Sequence, residues 1–175
     1  MIQRMLGAAL LNPKAFEAVE ADQSATKQAL VIVVLASIAT GIGTPNATIG
    51  IATTISAVLL AIIGWALWAW ITYFVGTKIL PTPETHANWG QLARTLGYAQ
   101  SPGLLKVFGF VPVIGPIVFF LATVWQLFAA IIAIRQALDY TSTWRSVGVA
   151  AIGFIGYAVI IGVVMMIFVS PTIPG

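Results

Sequence analysis

Cysteine is absent, histidine occurs once, and five carboxylates serve 175 residues. The first absence removes disulfides, thiolate metal sites and cysteine nucleophiles, and leaves the redox compartment open. The single histidine, His86, falls in a polar loop beside Pro83 and Asn88, with no second histidine or carboxylate cluster to complete a metal site. It cannot ligate a haem or chlorophyll within a span. Glu17, Glu20, Asp22, Glu84 and Asp139 all lie outside the apolar runs, so no carboxylate proton relay of the pump kind is expected. Serines and threonines within the runs have no histidine or lysine at plausible range, which leaves no nucleophile system to assemble. Gly41-Ile42-Gly43 follows an apolar run rather than a soluble strand, so a phosphate loop fails on context. Neither an enzyme nor a cofactor is expected.

Charge is also scarce. Only 7% of residues are charged against 59% hydrophobic, with mean hydropathy +0.99, whereas a soluble domain carries roughly 25% charge. A soluble globular domain is excluded. The net charge of +3 comes without a clustered basic face, so no nucleic-acid partner is implied. The eight Lys and Arg are better read by position, as orientation markers.

What remains is a succession of long apolar runs, and they predict an all-α fold: an integral membrane bundle of five transmembrane helices behind a short interfacial helix. Residues 1–24 form the N-terminal segment. Met1, Ile2, Met5, Leu6, Ala9 and Leu10 recur at helical spacing, the pattern of a helix lying on a membrane surface or packed on the bundle. No good cleavage site follows that short apolar stretch, so a removable signal peptide is not expected. Asn12-Pro13 reads as a helix start, with Asn as cap and Pro at the first helical position. Glu17, Glu20 and Asp22 read as a solvated face.

The membrane domain covers residues 25–169, with spans at about 25–42, 49–75, 92–111, 116–134 and 147–169, and a tail at 170–175. In the second span Thr53, Ala57, Ala61 and Gly64 make a small-residue stripe of the kind that admits a neighbouring helix. Trp68 and Trp70 there, Trp89 before the third span and Trp144 before the last are read as interface anchors. Asn88 with Gln91 three residues on is a capping box. In the third span Gln91, Arg94, Tyr98, Ser101 and Gly109 fall within roughly a quarter of the wheel at 100° per residue. In the fourth, Thr123, Gln126, Ala130, Ala133 and Ala137 share a face. Polar groups in lipid need partners, so the two stripes are expected to turn inward across the hairpin at residues 112–116. Ala158 and Gly162 in the last span fit a small-xxx-small spacing, which serves either dimerisation or internal packing, the latter being favoured.

Five crossings sort the charges. Arg4, Lys14, Lys27, Lys78, Arg94, Arg135 and Arg145 gather on one side and no Lys or Arg on the other, which places the N-terminus in the cytoplasm and the C-terminus outside. Lys106 is the exception. At mid-bilayer it would cost about 2.5 to 3.5 kcal/mol, so it either snorkels to the outer interface or binds an anionic group.

Gly97-Tyr98-Ala99-Gln100-Ser101-Pro102, preceded by Arg94 and followed by a Pro- and Gly-punctuated hairpin and a fourth span ending Ile134-Arg135-Gln136-Ala137-Leu138, resembles the Ypt-interacting-protein family, the Yip-domain membrane proteins. Asn12-Pro13-Lys14-Ala15-Phe16 is similar to the approach found in its short prokaryotic members. The resemblance implies a five-helix bundle without catalytic residues, N-terminus inside and C-terminus outside, in a prokaryotic plasma membrane. Eukaryotic members associate with prenylated Rab-type GTPases. This chain shows neither their long cytosolic N-terminal region nor their Asp-Leu-Tyr-Gly-Pro-like signature, so GTPase binding is not carried over. The expected function is that of a non-enzymatic adaptor, organiser or accessory subunit, whose partners are membrane lipid, other membrane proteins or further copies of itself. The alternative is a small transporter or channel component, with Arg94, Tyr98, Gln100, Ser101, Pro102, Lys106, Thr123 and Gln126 along a polar path and a broken helix at Pro102.

Overall fold

The computed structural model describes residues 1–45, 47 and 50–169, apart from the side chains of residues 165 and 167–169, and every regular element among them is helical. Residue 49, where the second span was expected to start, and the tail at 170–175 lie outside the described residues. Two short helices, α1 (Ile2–Ala9) and α2 (Pro13–Ala21), precede α3 (Ala25–Gly43). Asn12 caps α2 by accepting from the Lys14 amide at 3.1 Å, with Pro13 in the first turn. Helix α1 buries Ala8 and leaves Ile2, Leu6 and Leu10 exposed on its outer face. It therefore packs on the bundle and presents an apolar stripe at the same time.

Next come α4 (Ile51–Phe74), which runs into a π turn at Val75–Ile79, then α5 (Trp89–Tyr98), a 3₁₀ segment (Ser101–Phe110), α6 (Gly115–Ala137) and α7 (Thr143–Val169). Helices α1 and α6 stop in the same way without glycine. Leu11 (φ 59°) and Asp139 (φ 53°) take the left-handed conformation just past each helix. The next amide in each case, Asn12 or Tyr140, bonds back to the carbonyl of Gly7 or Arg135.

Among the described residues four helices are long and apolar enough to cross a membrane: Ala25–Gly43, Ile51–Ile79, Gly115–Ala137 and Thr143–Val164. The third expected span is not a fifth such helix, because it is broken at Pro102 into α5 and the 3₁₀ segment, ten residues each. Proline has no amide to give the carbonyl four residues back and disfavours helix for the residue before it. The two pieces nevertheless run beside α3 for most of its length. A Cβ at Gly97 would stand 2.6 Å from that of Ala29, and one at Gly43 would land on the Lys106 carbonyl.

The core gathers at the α2 end of the bundle, where Phe16, Val19, Ile32, Leu92, Leu96, Ile134 and Leu138 are fully buried or nearly so. Helices α4 and α7 join it only through the halves nearest that end: Ala69, Ile71 and Thr72 of α4, and Ser146, Val149 and Ala150 of α7. From Ile51 to Leu60 every residue except Val58 is exposed, and α7 is likewise mostly exposed beyond Gly153. The far halves of these two helices splay from the rest.

Candidate functional site

The polar residues singled out in the third and fourth spans fall into two clusters. The first lies where α5 meets α2. The Asn88 carboxamide and Gln91 cap α5 reciprocally, at 3.1 and 2.7 Å. The Gln91 amide nitrogen then donates to the Glu20 carboxylate at 2.8 Å. One turn on, the nearly buried Arg94 donates to the Glu20 backbone carbonyl at 2.5 Å. That carbonyl is one of the last in α2, so the guanidinium satisfies an open helix C-terminus with the matching sign of charge. Its Nε is buried without a partner. Another turn further, the buried Tyr98 hydroxyl donates to the Gln28 carboxamide oxygen on α3, also at 2.5 Å.

The helix break separates this cluster from the second. Pro102 deprives the Tyr98 carbonyl of its helical donor, and the Ser101 hydroxyl takes that place at 2.7 Å. The Gly103 amide donates to the Gln100 carbonyl at 2.8 Å. Gln126 of α6 lies flat over Gly103, where a Cβ would collide with its carboxamide, and its Nε2 donates to Gln100 Oε1 at 2.6 Å. Gln126 of the fourth-span stripe thus pairs with Gln100, which lies outside the third-span stripe, while Arg94 and Tyr98 of that stripe turn to α2 and α3.

That pair forms part of the wall of a cleft of about 640 Å³ between α3, α4, α7, the 3₁₀ segment and α6. Lys106 lines it too, half-buried, with its ammonium 5.1 Å from the centroid of the Phe119 ring. Across from it stand Ala57, Ala61, Gly64, Trp65 and Trp68 of α4, with Phe154 and Tyr157 of α7. Trp65 is fixed by a bond from its indole nitrogen to the Ala93 carbonyl at 2.9 Å, and Trp68 meets Tyr157 edge-on with centroids 6.1 Å apart. Ala57, Ala61 and Gly64 of the α4 small-residue stripe therefore line this opening, with Gly64 also approached by Tyr157 of α7, whose hydroxyl would stand 2.9 Å from a Cβ there.

Several expected placements change. Thr123 is exposed, bonds only its own helix at the Phe119 carbonyl, and borders a separate shallow cleft with Pro116 and Phe120. Arg94 and Tyr98 do not line the main cleft, so no continuous polar path joins the expected residues. The 100° wheel fails beyond Tyr98 because a 3₁₀ segment turns 120° per residue. Of the tryptophans read as interface anchors, Trp68 lines the cleft, while Trp70, Trp89 and Trp144 are exposed. Ala158 and Gly162 are not packed internally: Ala158 is exposed and a Cβ at Gly162 would meet open space.

Gln28 and Tyr157 carried no signal in the sequence, while Glu20 reads there as part of a solvated face and Trp65 as part of an aromatic belt; the partners of all four lie on other helices. Tyr140 was also missed; its hydroxyl reaches the Gly76 and Leu80 carbonyls, at 3.0 and 2.7 Å, beside the π turn. Burial raises the pKa of that phenol. Burial also lifts the Glu20 carboxyl to about 7, aided by Asp139 and opposed by Arg94. Asp22 is held down to about 2 by Ser24 and Arg4, the latter its ion-pair partner at 2.5 Å. Among the described residues no three His, Asp or Glu come together as a metal site.

In comparisons with known proteins, a family model described as the Yip1 domain matches residues 7–163. No curated protein and no solved structure matches the chain.

Proposed function

The chain belongs to the Yip1-domain family, and on that premise we propose that it is a non-enzymatic multi-pass membrane adaptor, assembling with other membrane proteins or further copies of itself. Membership and the four long apolar helices make it a multi-pass membrane protein. The family is generally non-enzymatic, which accords with the little catalytic chemistry in the sequence. The observation that carries the adaptor reading is the far half of α7. Ala158 is exposed and a Cβ at Gly162 would meet open space, so no described helix packs on that face, and small residues one turn apart are what lets helices approach closely in lipid.

The reading includes five crossings. Helix α5 adds about 15 Å and the 3₁₀ segment about 20 Å, enough for a hydrocarbon core of about 30 Å. The approach of Gly97 to Ala29 and of Gly109 to Gly43 supports a segment that runs parallel to α3 from one end to the other. On this reading the positive-inside pattern favours a cytoplasmic location for α1, α2 and the loop containing His86. A transport path along the third and fourth spans is the weaker reading, since its residues divide into two clusters.

Association is the test. Copies labelled with donor and acceptor dyes and reconstituted into vesicles, or partners recovered after cross-linking in intact membranes, should lose several-fold in yield on Gly162→Leu, which blocks close approach. The folded core does not use Gly162. Unchanged energy transfer together with unchanged cross-linked partners would contradict the adaptor reading.

A further inference from the structure

The cleft between the splayed helices has walls too specific to be a mere gap between helices. We propose that it binds a single anionic amphiphile, a carboxylate or phosphate headgroup on an acyl chain drawn from the surrounding membrane. This goes beyond the adaptor role and does not depend on it. Three observations bear on it.

The first is charge. Arg4–Asp22 is the one ion pair among the described residues, so Lys106 has no carboxylate to neutralise it although it is half-buried in a transmembrane bundle. A cation kept at that depth is costly unless something anionic or strongly polar meets it, and the Phe119 ring supplies only a cation–π contact. The second is the hydrogen-bonding capacity beside it. The Gln126-to-Gln100 bond uses one donor and one acceptor, which leaves the Gln100 amide protons able to donate to the same anion. The third is shape. At about 640 Å³ the cleft falls within the range of ligand pockets, about 300 to 1,000 Å³, and its remaining walls are mostly apolar or aromatic, among them Leu60, Ala61, Trp65, Trp68 and Phe154, while the Ser37 and Thr40 hydroxyls there donate to carbonyls of their own helix. A small soluble anion would leave that apolar wall unused. An amphiphile occupies both parts, its headgroup at Lys106 and Gln100 and its chain along α4 and α7.

The purified chain in a non-ionic detergent is titrated with cis-parinaric acid, a fluorescent carboxylate amphiphile excited by energy transfer from tryptophan. One molecule per chain should bind saturably. Lys106→Gln should weaken binding about tenfold or more, while Lys106→Arg and the remote Lys78→Gln leave it within about twofold. Ala61→Phe, which fills the apolar wall, should abolish it. The wild-type protein provides an arm that needs no variant: parinaric methyl ester, lacking the charge, should bind at least about tenfold more weakly. Equal binding of acid and ester, or no effect of Lys106→Gln in a folded variant, overturns the site. Lysophosphatidic acid should displace the probe and millimolar inorganic phosphate should not; displacement by phosphate alone assigns the site to a soluble anion and overturns the lipid source.

Discussion

Glu20 illustrates how single residues act here. It was read with Glu17 and Asp22 as part of a solvated face, because nothing within reach along the chain opposes it. Folding brings Gln91 to its carboxylate and Arg94 to its backbone carbonyl, both more than seventy positions away, and half-buries the acid near Asp139. Its pKa rises from 4.5 to about 7. A carboxyl raised on folding holds its proton longer in the native state, so stability falls as pH climbs from the unfolded value toward 7 and levels off above it. The midpoint of thermal unfolding in detergent should therefore drop between about pH 5 and pH 8. Glu20→Gln, which keeps the shape and removes the titration, should flatten that slope and raise the midpoint at the alkaline end. A slope unchanged in the variant would mean that another group governs the transition. The capping residues Asn12, Asn88 and Gln91 were legible from sequence because their partners lie within three positions. Glu20, Gln28 and Tyr140 were not, since their partners come from other helices.

At the scale of elements, the third segment shows both what apolar patterning reveals and what it hides. The run from residue 92 to 111 is apolar enough to suggest one membrane span, but the stripe read from it holds Arg94, Tyr98 and Ser101 and not Gln100, the residue that meets Gln126. What the pattern conceals is a change of helix type at Pro102, which ends the α-helical wheel at Tyr98 and turns later residues to new directions. Ser101 makes the change tolerable by supplying the donor that proline lacks. Ser101→Ala leaves the Tyr98 carbonyl buried without that bond and should cost about 1 to 2 kcal/mol, seen as a lower unfolding midpoint in detergent. Ser101→Thr, keeping the hydroxyl, should recover most of it. An alanine variant as stable as the parent would show that the break does not rest on this bond. The splaying of α4 and α7 was also invisible in the sequence. A small-residue stripe looks the same whether it touches a helix or borders an opening, and only the packing around Trp65, Trp68 and Tyr157 separates the two.

For the whole molecule, the central claim is that the broken third segment passes through the membrane like its four longer companions. Composition identifies a membrane bundle and the cationic residues supply an expected direction for it, but neither decides whether a proline-broken segment crosses or turns back. The absence of cysteine makes a direct measurement simple. One thiol is placed at the exposed His86, before the segment, and separately at the exposed Val113, after it; each is probed in intact cells with a membrane-impermeant maleimide. Five crossings predict that Val113→Cys is labelled from outside and His86→Cys only after the membrane is opened. Labelling of both from the same side would make the third segment re-entrant and contradict the account.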